Sequence, residues 1–201
     1  LVENEAITST STVLASGDEI RLRMNVALSN ASSTAGSFFK LQYAASNNCS
    51  AVGTWFDVGD TASSTVWRGY ANAGVTDGGT LVSNILASST IKETYQENGI
   101  ATSTPTEIPV GDVGEWDFVL EHNAAAAGTE YCFRMVETDG TVFATYTNYP
   151  QLVTNQAPSA PTLTTLFDNE KPTSTDSYFT FVTSDPEGQD IHYQIQIDDD
   201  Y

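Results

Sequence analysis

Three carboxylates, Glu115, Asp117 and Glu121, recur at alternate positions of one predicted strand. Two carboxyl groups held about 5 to 9 Å apart in a cleft can cleave a glycosidic bond. On an open sheet face of an acidic chain the plainer reading is solvated charge, and that is the expectation here. No Gly-x-Ser-x-Gly elbow, Ser/His/Asp order, phosphate loop or metalloprotease motif accompanies them, so the chain is expected not to be an enzyme. Asp185, Glu187, Asp190 and Asp198 lie at or after an Asp-Pro-Glu-Gly turn and are the candidate calcium ligands, since calcium takes six to eight oxygens. Their spacing matches no EF-hand, and a merely acidic turn is the alternative. No other cofactor is expected. Trp55, Trp67 and Trp116 are candidate platforms for stacking on sugar rings, although a tryptophan in a β-sandwich more often faces the core. Arg68, beside Trp67, can stack on an aromatic ring, with plain packing the simpler role.

Cys49 and Cys132 are the only cysteines. In an oxidising compartment they are expected to pair and clip an early sheet to a later strand, with two separate buried thiols as the alternative. His122 and His192 lie in different regions, so a zinc site with the cysteines is not expected. Asn30 and Asn48 each begin an Asn-x-Ser glycosylation pattern, which matters only in a glycosylating host. Lys40, Lys92 and Lys171 are the candidates for isopeptide crosslinks, although Lys40 is expected on the wrong face for one.

Charge removes two partner classes. Seven basic residues face 26 acidic ones, a formal net charge of -19 over 201 residues. Such a surface repels phosphate backbones and anionic membranes. No run approaches the roughly 18 apolar residues needed for a span. With 40% hydrophobic and 10% aromatic residues the chain can still bury a core. Leu1 is not a methionine, so the expectation is a processed or excised segment.

The elements that must position these residues read as strands. In Glu19 to Leu28, Ile20, Leu22, Met24, Val26 and Leu28 alternate with Arg21, Arg23, Asn25 and Ala27, the period of a strand with one face on a core. Phe38 to Ala44, with Phe39, Leu41 and Tyr43 on one face, is its expected hairpin partner. Residues 54–58 and 66–70 are short strands. Residues 71–113 lose the pattern: 88–97 is expected to form a short helical turn, and the whole stretch to cover one sheet. Residues 114–154 read as a three-strand antiparallel meander, with Asp139-Gly140 suited to a tight turn. Residues 1–16 are an extended edge strand or a leader.

Pro158 and Pro161 among small polar residues mark 155–161 as a linker between a domain at 1–154 and a second unit at 162–201. There 161–167, 178–183 and 191–197 read as strands, about half of an immunoglobulin-like domain. The fold class expected is therefore all-β: an antiparallel immunoglobulin-like sandwich with a long insertion, followed by a partial second unit.

Residues 157–201, with a Pro-rich entry, an Asp-Pro-Glu-Gly turn and a Tyr-Gln-Ile-Gln-Ile strand, resemble the first half of a fibronectin type III module. The first 154 residues resemble a repeat of large secreted surface proteins of uncultured bacteria. The motifs are Ile20 to Met24, Phe39 to Ala44, Cys49, Trp55, Val66 to Tyr70, Gly114 to Val119 and Tyr131 to Leu152, in that order. The chain departs from that pattern at its start, where an aromatic-rich strand before Val2-Glu3-Asn4 is missing. The resemblance implies an extracellular β-sandwich repeat with no catalytic residues to carry over.

The expected function is an extracellular structural or adhesive building block, assembling by strand exchange or as tandem units. Its partners would be copies of itself or adjacent domains, with residues 1–16 as the strand to be donated. The alternative is a carbohydrate-binding module using the three tryptophans, with glycans as partners.

Overall fold

A computed structural model describes residues 13–30, 32–33, 38–102, 107–163 and 180–194. Backbone contacts divide the chain into two compact units, 1–154 and 155–201.

The first unit is an antiparallel β-sandwich. One sheet runs β1 (Val13–Leu14), β10 (Gln151–Thr154), β9 (Glu130–Glu137), β3 (Phe38–Ala45), β4 (Phe56–Asp57), with β7 (Ile100–Thr102) also on β3. The other runs β2 (Glu19–Ala27), β8 (Val113–His122), β5 (Trp67–Gly69), with β6 (Ile91–Gln96) also on β8. Strand pairs are antiparallel except β1 with β10 and β6 with β8. The register of β2 on β8, from Glu19↔Glu121 to Ala27↔Val113, puts the apolar side chains of both strands on one face. Met24, Val26, Trp116, Phe118 and Leu120 join Phe39, Leu41, Phe133 and Met135 of the other sheet in a single core. Trp67 stands edge-on to Phe133 at 5.2 Å and to Tyr131 at 5.6 Å.

The meander expected over 114–154 is not formed. β8 and β9 sit in opposite sheets, and the connection between them must cross the roughly 10 Å that separates packed sheets. A tight hairpin cannot do this; the 123–129 connection does, with positive φ at Ala124 and Gly128. The third run shrinks to β10, because 142–150 folds as an aromatic loop. The Asp139-Gly140 turn does form, with Gly140 at φ 93°. β2 and β3, expected to be a hairpin, are likewise in different sheets. The helical turn expected over 88–97 is the strand β6: pairing with β8 overrides weak local preference.

The second unit contains β11 (Thr162–Leu163) paired antiparallel with β12 (Phe181–Val182). Phe181 packs on Tyr193 at 5.0 Å. The strand expected at 191–197 is not a strand over 191–194, and its remainder lies outside the described residues.

Candidate functional site

Two of the three carboxylates on β8, Glu115 and Asp117, are shut off from solvent. Glu115 and Asp117 are fully buried on the face of β8 opposite the core. Period-two alternation puts them on the same face as Arg21 and Arg23 of β2. Arg23 Nη1 donates to Glu115 Oε1 at 2.9 Å, and Asp117 accepts from Arg21 Nε at 3.2 Å and pairs with Arg23. What covers this face is the chain between β5 and β8. Ile85 N and Leu86 N donate to Glu115 at 2.9 and 3.0 Å, and Arg23 donates to the Ser83 carbonyl. Leu81, Tyr95 and Val119 form a small apolar cluster alongside, and the Arg21 guanidinium lies 5.5 Å from the Tyr95 ring. Every oxygen of Glu115 is committed to neighbours, so the arrangement holds the cover down rather than presenting an acid and a base. Glu121 is half-buried and bonded twice by Arg68, through Nε at 3.1 Å and Nη2 at 2.9 Å. Arg68 is therefore an ion-pair partner, not a ring-stacking group.

Trp67 and Trp116 are fully buried and cannot meet a glycan. The cause is parity: each alternates into the face that lines the inter-sheet core. Trp55 alone of the three reaches the surface. It stacks on Tyr149 at 5.9 Å, Tyr149 on Tyr146 at 5.2 Å, and Tyr146 contacts Phe143 at 6.0 Å. Arg134 lies over the Trp55 ring at 4.3 Å. Its Nε and Nη2 donate to Gln42 Oε1, Gln42 Nε2 donates to Asp57 Oδ1 at 2.7 Å, and Lys40 Nζ donates to Asp57 Oδ2 at 2.9 Å. Burial raises the Asp57 pKa, but these two hydrogen bonds and the Lys40 charge together outweigh it and hold the carboxyl below its ordinary value. Tyr146 donates its hydroxyl to the Met135 carbonyl at 2.7 Å, which ties the ladder to β9. Sequence reasoning named Trp55 but missed Tyr146, Tyr149 and Arg134. The signal available was the spacing of three between Phe143, Tyr146 and Tyr149, which does not fit the strand assigned there.

Cys49 and Cys132 are bonded, with Cα atoms 5.5 Å apart. Cys132 pairs with Ala44 on β3, so the bond pins the loop after β3, and with it the approach to Trp55, onto β9. Of the calcium candidates, Asp185, Glu187 and Asp190 are among the described residues. Asp185 Oδ1 accepts from Glu187 N and Gln189 N, each at 3.0 Å, which closes the turn. Asp198 lies outside the described residues, and no group of three candidate ligands is found among them. His122 is buried against Trp67 at 5.2 Å, where burial lowers its pKa, while His192 is exposed in the second unit. Asn30 and Asn48 are both exposed; Asn48 Oδ1 accepts from Ser50 at 2.8 Å. Lys40 is engaged with Asp57 and Lys92 with the Val82 carbonyl, and Lys171 lies outside the described residues.

Glu93 on β6 was not singled out from the sequence, and nothing in Ile91 to Gln96 marks it. It is fully buried, and neither carboxylate oxygen has a hydrogen-bond partner among the described residues.

Compared with known protein families, curated proteins and solved structures, the chain has no match. The resemblances to a surface-protein repeat and to a fibronectin type III module therefore rest on the sequence motifs alone. Among the described residues no helix is long and apolar enough to cross a membrane.

Proposed function

We propose that the chain is an extracellular structural or adhesive building block, a stretch of tandem β-sandwich units in a cell-surface or filament protein. The observation that carries this reading is that one chain strings together two compact units, the first clipped by a disulfide. Disulfides persist in oxidising compartments, which supports a secreted location. The strand order β1-β10-β9-β3-β4 against β2-β8-β5, with an edge strand parallel to the last one, supports an immunoglobulin-like relation. The disulfide differs from the inter-sheet bond of antibody domains, since it joins a loop to a strand of the same sheet. Its partners are adjacent domains of the same polypeptide or further copies.

Tandem linkage is favoured over strand exchange. β1, the described end of the segment expected to be donated, pairs with β10 of its own chain and buries Leu14. Antibody labelling of intact cells tests the location: surface staining is expected, and staining only after permeabilisation sinks the proposal. Sedimentation of the purified chain from micromolar to millimolar concentration tests the assembly route. A constant monomer mass is expected, whereas growth that disappears when residues 1–16 are removed would favour exchange.

A second reading, glycan binding, is favoured by the row Trp55, Tyr149, Tyr146 and Arg134, each half-buried. Because the rings stack on each other and on the guanidinium, contact would be through ring edges and tyrosine hydroxyls. Quenching of tryptophan fluorescence by a polysaccharide, lost in Tyr149→Ala, is the expected signal. Silence across a broad glycan array removes this reading.

A further inference from the structure

Among the described residues of the first unit three carboxylates are fully buried, and they differ in what surrounds them. Glu115 and Asp117 each meet an arginine. Glu93 meets nothing that donates a hydrogen bond among the described residues. Its place in the fold explains the burial. β6 follows β8 through Ile91↔Gly114 and Lys92↔Glu115, then slips, and resumes at Tyr95↔Asp117. Glu93 and Thr94 occupy the slip, where one extra residue must be accommodated, and both are buried.

The same stretch carries the covering turn. Leu81 N donates to the Glu93 carbonyl at 2.8 Å, Tyr95 N to the Gly79 carbonyl at 2.9 Å, and Gly78 N to the Tyr95 carbonyl at 2.9 Å. Glu97 N donates to Asp77 Oδ1 at 2.8 Å. Residues 77–81 are thus hung on β6, and their apolar anchor is Leu81 against Tyr95 and Val119. A carboxyl group buried without a partner favours its protonated form, because ionising it there forfeits hydration without a compensating charge.

We propose that Glu93 is a proton-operated latch: protonated, it lets β6 and the 77–81 turn stay seated on β8, and ionised, it drives them open to bring the carboxylate to water. Burial alone raises Glu93 from 4.5 to about 7. The charged groups on the elements packed around it are spoken for. Glu115 and Asp117 on β8 are engaged with Arg23 and Arg21, Lys92 is exposed and bonded to Val82, Asp77 is bonded to Glu97 N, and β7 carries no titratable side chain. The seated form binds the proton more tightly than the open form. Its advantage is therefore complete below about pH 4.5, declines as pH rises through 7, and is gone above that. The cover is closed in acid and loosened in mild alkali, and opening uncovers the Leu81–Tyr95–Val119 patch.

Amide hydrogen exchange on the intact chain tests this. After correction for intrinsic rates, opening at Gly78, Leu81 and Tyr95 is expected to rise on the order of 50-fold between pH 5 and pH 8. Core amides such as Phe133 should not follow. In Glu93→Gln, an isostere of the protonated acid, the rise should vanish. The same rise in that variant, or a flat wild type, overturns the proposal. Should the variant fail to fold, carboxyl-carbon NMR of the wild type decides: a Glu93 midpoint near 7 supports the latch, and one near 4.5 overturns it.

Discussion

Arg21 and Arg23 show why charge on a strand is ambiguous at the level of the residue. Alternation with Ile20, Leu22 and Met24 establishes only that they share the face opposite the core. Whether that face meets water depends on a segment some 60 residues further on, which no local pattern reveals. The register of β2 on β8 then sets Arg23 opposite Asp117, and the cover removes both from solvent, with side-chain exposures of 6% and 0%. Breaking such a buried pair leaves an uncompensated charge, at a cost of about 3 to 5 kcal/mol, whereas an ion pair at the surface contributes little. Asp117→Ala should accordingly lower the urea midpoint by an amount equivalent to about 3 to 5 kcal/mol. Glu121→Ala, which removes the half-exposed partner of Arg68, should barely move it. Equal effects from the two substitutions would mean that the cover does not exclude water from Arg21 and Arg23. The tryptophans follow the same logic: parity alone says that Trp116 shares a face with Phe118, but only the second sheet makes that face the core.

At the scale of elements, strand identity was largely legible and strand partnership was not. β2, β3, β8 and β9 lie where alternation puts them, because each has a face against apolar neighbours. Their pairing is not legible because adjacency in sequence suggests a hairpin, whereas about one consecutive strand pair in three is not adjacent, and here the β2–β3 and β8–β9 connections cross between the sheets. The length of the 123–129 connection was the available clue. β6 was illegible for another reason: Glu93 and Thr94 at the slip break its alternation, so no period emerges. Close approaches between elements are equally hidden. A Cβ on Gly69 of β5 would run into the Glu97 carbonyl and Asn98 Cα, backbone atoms with nowhere to retreat. Gly69→Ala is therefore expected to cost about 1 to 3 kcal/mol, read as a lower thermal midpoint, while Gly53→Ala, with open space around it, should be neutral. The disulfide acts on the unfolded chain instead. It closes 83 residues of separation, for which chain entropy gives about 4 to 5 kcal/mol, and measured losses are commonly about 2 to 5 kcal/mol. Replacing both cysteines by alanine should lower stability by that range, and no change would place the first unit's stability wholly in its core.

For the molecule as a whole, the dominant quantity is a net charge of -19. The structure makes the imbalance at the surface sharper than composition suggests. Arg21, Arg23, Lys40 and Arg68 are already paired with Asp117, Glu115, Asp57 and Glu121. Few cations remain to offset the other carboxylates, and self-repulsion destabilises a compact state. Screening acts unequally on these terms. Exposed carboxylates lose most of their mutual repulsion once the Debye length falls to about 3 Å near 1 M salt, while the buried Arg–Asp and Arg–Glu pairs are screened much less. Added sodium chloride should therefore raise the thermal midpoint, steeply at low ionic strength and then level off, followed by circular dichroism at constant pH. Charge reversal of a solvent-exposed acid such as Glu107→Lys should flatten the curve slightly, whereas Asp117→Ala should lower its whole height without changing its slope. A midpoint that falls with salt would mean that attractive surface pairs outweigh the repulsion, and the acidic surface would then be part of what holds the sandwich together.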